Sequence, residues 1–176
     1  MKLSDLFEAV DLSKKGTYAF ASLDAESRKV ISEYIKDNDI PNPTKTDKLH
    51  CTLIYSRVEV PDMKSKGDYK PPMVCKPKGL EIWKAQPDED GNTKNCLVLK
   101  LSCPEFTARH KELMDKHPKA TYDYPEFKVH VTLSYDIGDK KLKDFPDIKQ
   151  ELRLEKETVQ ELESGWAKKN SKKSKT

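Results

Sequence analysis

Apolar residues recur along the chain in two alternating rhythms. Thr17 to Leu23 is a short apolar block that predicts a strand, and Asp24 stands where a helix N-cap belongs. Val30, Ile31, Tyr34 and Ile35 then follow at helical spacing until Asn38-Asp39-Ile40-Pro41-Asn42-Pro43 ends the helix. Lys48-Leu49-His50-Cys51-Thr52-Leu53-Ile54-Tyr55 reads as a second strand. The order then repeats. An apolar strand runs from Cys96 to Ser102, and Pro104 opens a helix with Phe106, Leu113 and Met114 on one side. A turn at Pro118 leads to the strand Lys128-Val129-His130-Val131-Thr132-Leu133-Ser134-Tyr135. Between the halves, Pro61 to Gly79 is rich in lysine, proline and polar residues and reads as a surface loop, before Leu80-Glu81-Ile82-Trp83 resumes a strand pattern. A last strand is expected within Glu155 to Glu163.

Strand, helix and strand thus occur twice, which predicts two similar lobes related by a pseudo-twofold axis, with the repeated strands at the centre and a site between them. The repetition extends to residue identity. Lys, His, Thr, Leu and Tyr recur in the same order in both eight-residue segments, so each carries a His-x-Thr. Side chains alternate faces along a strand, so His50 and Thr52 share one face, as do His130 and Thr132, while Leu49, Cys51, Leu53 and Tyr55 take the other. Each copy can bury one face and present an imidazole and a hydroxyl on the other.

Size and charge narrow the reading. A chain of 176 residues suits one compact domain, or two small lobes sharing a core. With 33 basic against 30 acidic residues, the net charge of +3 gives little long-range attraction for polyanions. Part of that excess lies in the lysine-rich C-terminal tail, expected to be disordered over 167–176; the domain itself is expected over 17–166, after an N-terminal extension of residues 1–16. Cysteines 51, 75, 96 and 103 lack paired short spacings and read as free thiols of a reducing compartment. The N-terminus has acids among its apolar residues and does not resemble a signal peptide, and no stretch approaches a membrane span, so a cytoplasmic location is expected.

Two histidines with matched hydroxyls suit cleavage of a phosphodiester without metal. One imidazole would take a proton from the attacking oxygen and the other give one to the leaving oxygen, and residue types alone do not assign the roles. Thr52 and Thr132 would donate hydrogen bonds to the charged non-bridging oxygens. If the nucleophile is the substrate's own 2'-hydroxyl, it already lies beside the phosphorus. A lone histidine on a strand more often satisfies a core hydrogen bond; two matched copies favour chemistry. His110 and His117, seven apart on the second predicted helix, lack convergent metal ligands and read as a surface or boundary face.

The duplicated motif in matching halves resembles the two-histidine (2H) phosphoesterase superfamily. That resemblance implies a bilobal α+β fold of antiparallel sheet with outer helices and a central groove, and metal-independent chemistry with no cofactor. Ile40-Pro41-Asn42-Pro43 and Leu49-His50-Cys51-Thr52-Leu53-Ile54-Tyr55-Ser56-Arg57 further resemble the phage anti-CBASS nuclease family, whose members degrade cyclic di- and trinucleotide alarm signals of bacteria. From that likeness, covering about Tyr18 to Trp166, the bases are expected to be clamped by aromatic residues at Tyr18 and Trp166, with Trp83 as a further candidate. A ligand-contacting glutamate of the last strand is placed at Glu161, beside Gln160 and Glu163. The expected partners are cyclic di- and trinucleotides, with no long nucleic acid and no membrane, acting on a monomer. A related RNA 2',3'-cyclic phosphodiesterase or 2',5'-RNA-ligase-like enzyme, and a non-catalytic sponge for cyclic nucleotides, are the alternatives.

Overall fold

The computed structural model describes residues 15–162. The elements in chain order are β1 (Gly16–Leu23), α1 (Ala25–Asp37), β2 (His50–Ser56), β3 (Asp68–Lys84), β4 (Asn95–Ser102), α2 (Pro104–Lys116), β5 (His130–Ser134) and β6 (Leu152–Leu162). Asp24 caps α1 by accepting a hydrogen bond from the Ser27 amide at 2.8 Å, a contact typically worth about 1 kcal/mol. Pro104 starts α2, where its missing N–H costs nothing. Phe106, Arg109 and Leu113 then form the buried stripe of α2 at spacings of three and four.

All strand pairs are antiparallel, in the order β2-β1-β6-β3-β4-β5. Reading inward from either edge gives a motif strand, the first strand of its repeat, and a third strand, so the two halves meet where β6 pairs β3. The motif strands are therefore the outer edges of the hydrogen-bonded order. They become central in space because the sheet curls until β2 and β5 touch. The segment before β2 completes the closure: Pro43 bridges Ser134, and the Thr44 amide donates to the Leu133 carbonyl at 2.9 Å.

The expected loop over 61–79 is a strand for much of its length, since β3 starts at Asp68. Prolines hid it. Pro71 and Pro72 fall where the pairing with β6 is interrupted between Asp68 and Met73, and a second irregularity lies between Pro77 and Gly79, so the missing donors break no regular ladder. Between these points Met73 and Cys75 alternate inward against Leu154 and Leu152. Length is what gives β3 its function: its first part pairs β6 and its second part pairs β4, which joins the halves into one sheet. β6 likewise begins earlier than expected, because Leu152 and Leu154 enter the core.

That core draws on both halves, with Ala19, Ala21, Leu53, Leu97, Leu99, Phe106, Val131 and Leu133 all fully buried or nearly so. Such a shared interior holds the two repeats in fixed relation, and truncating the fully buried Phe106 to alanine should cost about 3–5 kcal/mol. The four cysteines are free, three of them buried. No helix among the described residues is long and apolar enough to cross a membrane.

Candidate active site

Register decides which side chains meet. On β1 and β2, Ser22 pairs His50 and Phe20 pairs Thr52, whereas Ala21 pairs Cys51. Directly paired residues share a face, so His50, Thr52, Phe20 and Ser22 stand opposite the core face that carries Ala21 and Cys51. On β4 and β5, Lys100 pairs His130, Val98 pairs Thr132, and Leu99 pairs Val131. Both His-x-Thr pairs therefore leave the core and face the groove.

Each motif strand then carries one extra residue, at Leu53 in β2 and at Leu133 in β5. The repeat thus includes its backbone bulge. A bulge resets the alternation of side chains. After it, Tyr55 pairs Tyr18 and their ring centroids lie 6.0 Å apart, so Tyr55 sits on the groove side rather than the side that strict alternation predicts. Tyr135 also lies close enough to Tyr18 for their charges to interact, and burial pushes its hydroxyl up to about 12.

The histidines are held in the same way. His50 Nδ1 lies 2.6 Å from the Lys48 carbonyl, and His130 Nδ1 lies 2.8 Å from the Lys128 carbonyl. A carbonyl only accepts, so each Nδ1 carries the hydrogen and each neutral ring keeps its lone pair on Nε2. At His50 that lone pair accepts from the Tyr18 hydroxyl at 2.8 Å. The Tyr18 oxygen, its hydrogen committed, accepts in turn from Thr52 Oγ1 at 3.1 Å. Phe20 closes the other flank of His50, with ring centroids 5.3 Å apart. On the second copy, His130 lies against Trp83 at 4.3 Å.

Burial favours the neutral form of both imidazoles and pulls both titrations below the ordinary value of 6.5, against the opposing effect of the carbonyl each one bonds. A charge on His50 lowers His130 further. Protonating one therefore discourages protonation of the other, so a singly protonated pair is favoured over an interval of pH. One acid and one base is the state that proton transfer at both ends of a bond requires.

The other expected site residues are placed as follows. Trp83 is half-buried on the groove face of β3, its indole Nε1 donating to Glu81 at 3.1 Å, and Glu81 is paired with Lys100 at 3.0 Å. Tyr18 lies beside His50 and Thr52, but it is only 2% exposed and its hydroxyl is engaged, so the contact it offers in this structure is a hydrogen bond and not an open stacking face. Glu161 does not join them: it pairs Thr17, on the opposite face from Tyr18, and its exposed carboxylate meets Lys15 at 3.2 Å. The residue of β6 that pairs Tyr18 and shares its face is Gln160, a difference of one position that alternation turns into the other side of the sheet. Trp166 lies outside the described residues.

The family model described as anti-CBASS protein Acb1 matches residues 15–169. The chain belongs to the anti-CBASS protein Acb1 family. Its relatives include anti-CBASS protein Acb1 of Vibrio phage KVP40, 34% identical over 97% of this chain and 99% of that protein. That of Enterobacteria phage T4 is 32% identical over 86% of this chain and 91% of that protein. Among solved structures, TT0787 of Thermus thermophilus superposes with a TM-score of 0.53, covering 83% of this chain and 87% of that one. At 16% identity this likeness speaks for the fold, and it agrees with the α+β architecture that the resemblance implied.

Several residues of the Acb1-family groove were not legible in the sequence. Tyr55 and Tyr135 are brought in by bulges, and a bulge has no signature in an apolar run. Phe20 was only one position of the apolar strand Thr17 to Leu23. Glu81, two residues from Trp83 on a strand, carried a usable signal, because residues i and i+2 share a face.

Proposed function

We propose that this chain is a metal-independent phosphodiesterase that opens the 3'-5' bonds of cyclic di- and trinucleotide signals, through which a phage disarms CBASS defence in the cytoplasm of its bacterial host. The observation that carries this reading is the matched pair of histidines, each with Nδ1–H fixed on a carbonyl two residues upstream, leaving two Nε2 atoms for proton transfer. In the reaction the neutral imidazole takes the proton of the substrate's 2'-hydroxyl as that oxygen bonds to phosphorus. The protonated imidazole gives its proton to the 5'-oxygen as the P–O5' bond breaks. The products are a 2',3'-cyclic phosphate and a free 5'-hydroxyl, and water added in a second, reversed step would yield a terminal phosphate.

The Tyr18 hydroxyl occupies the position between His50 Nε2 and Thr52 Oγ1 where a substrate oxygen would be received. An oxygen entering there displaces that hydroxyl and frees Thr52 to donate to the phosphate, as Thr132 does from the other copy. Release of the hydroxyl also turns the Tyr18 ring toward a base, which reconciles its hydrogen bonds here with a clamping role shared with Trp166. Trp83 backs His130, and Gln160, rather than Glu161, offers the amide of β6 to the ligand. The protein acts as a monomer whose groove is formed by its own two halves.

The test is incubation with 3',3'-cyclic GMP-AMP and cyclic triadenylate in EDTA, beside the His50→Ala protein, with products identified by mass spectrometry. Linear products ending in a 2',3'-cyclic or terminal phosphate, absent with the variant, are expected. Intact ligand recovered from a tight complex would establish a sponge instead. Absence of binding, with turnover of RNA ends bearing cyclic phosphates, would establish the RNA-directed alternative.

A further inference from the structure

We propose that His110, on α2, is a positioning residue for both motif strands: it holds the β2 bulge that aims His50 and Thr52, and it anchors the segment from which His130 is held. Its Nδ1 lies 2.7 Å from the Leu53 carbonyl, so the ring donates to the extra residue of the bulge. The same imidazole stacks on Phe127, with ring centroids 3.9 Å apart and planes 6° from parallel, while Tyr122 meets its edge at 4.9 Å. Phe127 immediately precedes Lys128, whose carbonyl fixes His130. One ring thus contacts the residue after Thr52 and the residue before the His130 anchor.

The pseudo-symmetric copy shows why this contact matters. In β5 the equivalent bulge carbonyl, that of Leu133, accepts from the Thr44 backbone amide at 2.9 Å. Both bulges are held at the same atom by a donor from outside the sheet, a main-chain amide in one copy and a histidine in the other. Only the histidine can be removed by a side-chain change. Because successive residues of a strand face opposite ways, the bulge sets which side chains enter the groove, and a slip there would turn His50 and Thr52 toward the core. His110 acts through this backbone and does not touch the reacting atoms.

The inference rests on the catalytic reading for its consequence, but its test need not. His110→Phe keeps a ring for Phe127 and loses the donor; His110→Asn keeps a donor and loses the ring. The imidazole titrations of His50 and His130 are followed by NMR in the wild type and both variants, and kcat and KM are measured on 3',3'-cyclic GMP-AMP at a temperature where all melt cooperatively above the assay. For His110→Phe, kcat should fall about fivefold to tenfold with KM little changed, and the His50 titration should move toward its ordinary value as β2 loosens and admits water. For His110→Asn, the His50 titration should be retained, while loss of the ring from Phe127 should move the His130 titration and lower kcat. An unaltered His50 titration and kcat in His110→Phe would overturn the proposal, as would a His50 titration moved equally in the two variants or an unaltered His130 titration in His110→Asn. If the wild-type protein fails to turn over the nucleotide, the proposed activity falls, yet the titrations still decide whether His110 positions His50.

Discussion

Glu157→Gln should destabilise this protein more than almost any other isosteric change. Glu157 is 1% exposed on β6, and its carboxylate accepts from Arg109 Nε at 3.0 Å, Arg109 Nη2 at 2.8 Å, Tyr69 Oη at 2.7 Å and the Lys66 amide at 3.1 Å. Burial opposes its ionisation, but the hydrogen bonds from Arg109, Tyr69 and Lys66 outweigh that and hold the carboxyl below its ordinary range. Glutamine keeps the volume while turning an amide donor toward donors and leaving the Arg109 guanidinium, 6% exposed, without its main counter-charge. Breaking a buried pair in this way typically costs about 3–5 kcal/mol. For a chain of this size each kcal/mol lowers Tm by roughly 2–4 °C, so a fall of about 6–20 °C is expected at pH 7 by circular dichroism. The sign with pH is fixed by the depressed carboxyl. The contribution is present above the ordinary glutamate range and is lost as pH falls through the folded value, so wild type and variant should converge in acid. A Tm within about 2 °C of wild type at neutral pH, or a difference that persists unchanged in acid, would show that the Glu157 charge does not stabilise the fold. Because Arg109 extends from α2 of one half to β6 of the other, the same melt reports how firmly the halves are joined.

Four further outcomes are expected. His50→Ala or His130→Ala should lower turnover of 3',3'-cyclic GMP-AMP by about 10²–10⁴, and the double variant should lose far less than the product of the two, because the pair acts as a unit; independent, multiplicative losses would contradict that. The profile of kcat/KM against pH should be bell-shaped with its optimum on the acid side of 6.5, since burial lowers both histidines; a rate still climbing beyond neutrality would not fit. Tyr18→Phe keeps the ring and removes two hydrogen bonds, so chemical denaturation should show a loss of about 1–3 kcal/mol, and an unaltered midpoint would mean that water replaces the hydroxyl without cost. Trp83→Ala should raise the accessibility of His130 and move its titration toward the ordinary value, which NMR would detect; a fixed titration would place Trp83 outside the environment that tunes it.

Features that depend on local order were legible along the chain. A repeated His-x-Thr in repeated strand-helix-strand settings is enough to indicate two equivalent halves, because period-two alternation puts His and Thr on one face whatever the rest of the chain does. Asp24 and Pro104 marked their helices for equally local reasons. Tertiary structure decided what depends on partners distant in the chain. β3 was hidden behind its prolines until β6 and β4 showed where ladder bonds are needed, and its length is what makes two halves one sheet. Register alone sends Glu161 to one face and Gln160 to the other, and the bulges at Leu53 and Leu133 bring tyrosines to the groove against the simple alternation. His110 read as a boundary residue of a helix, since nothing near it in the chain reveals that curling the sheet brings the Leu53 carbonyl to its ring. Periodicity is carried by neighbours along the backbone; register and closure are set by which strands finally meet.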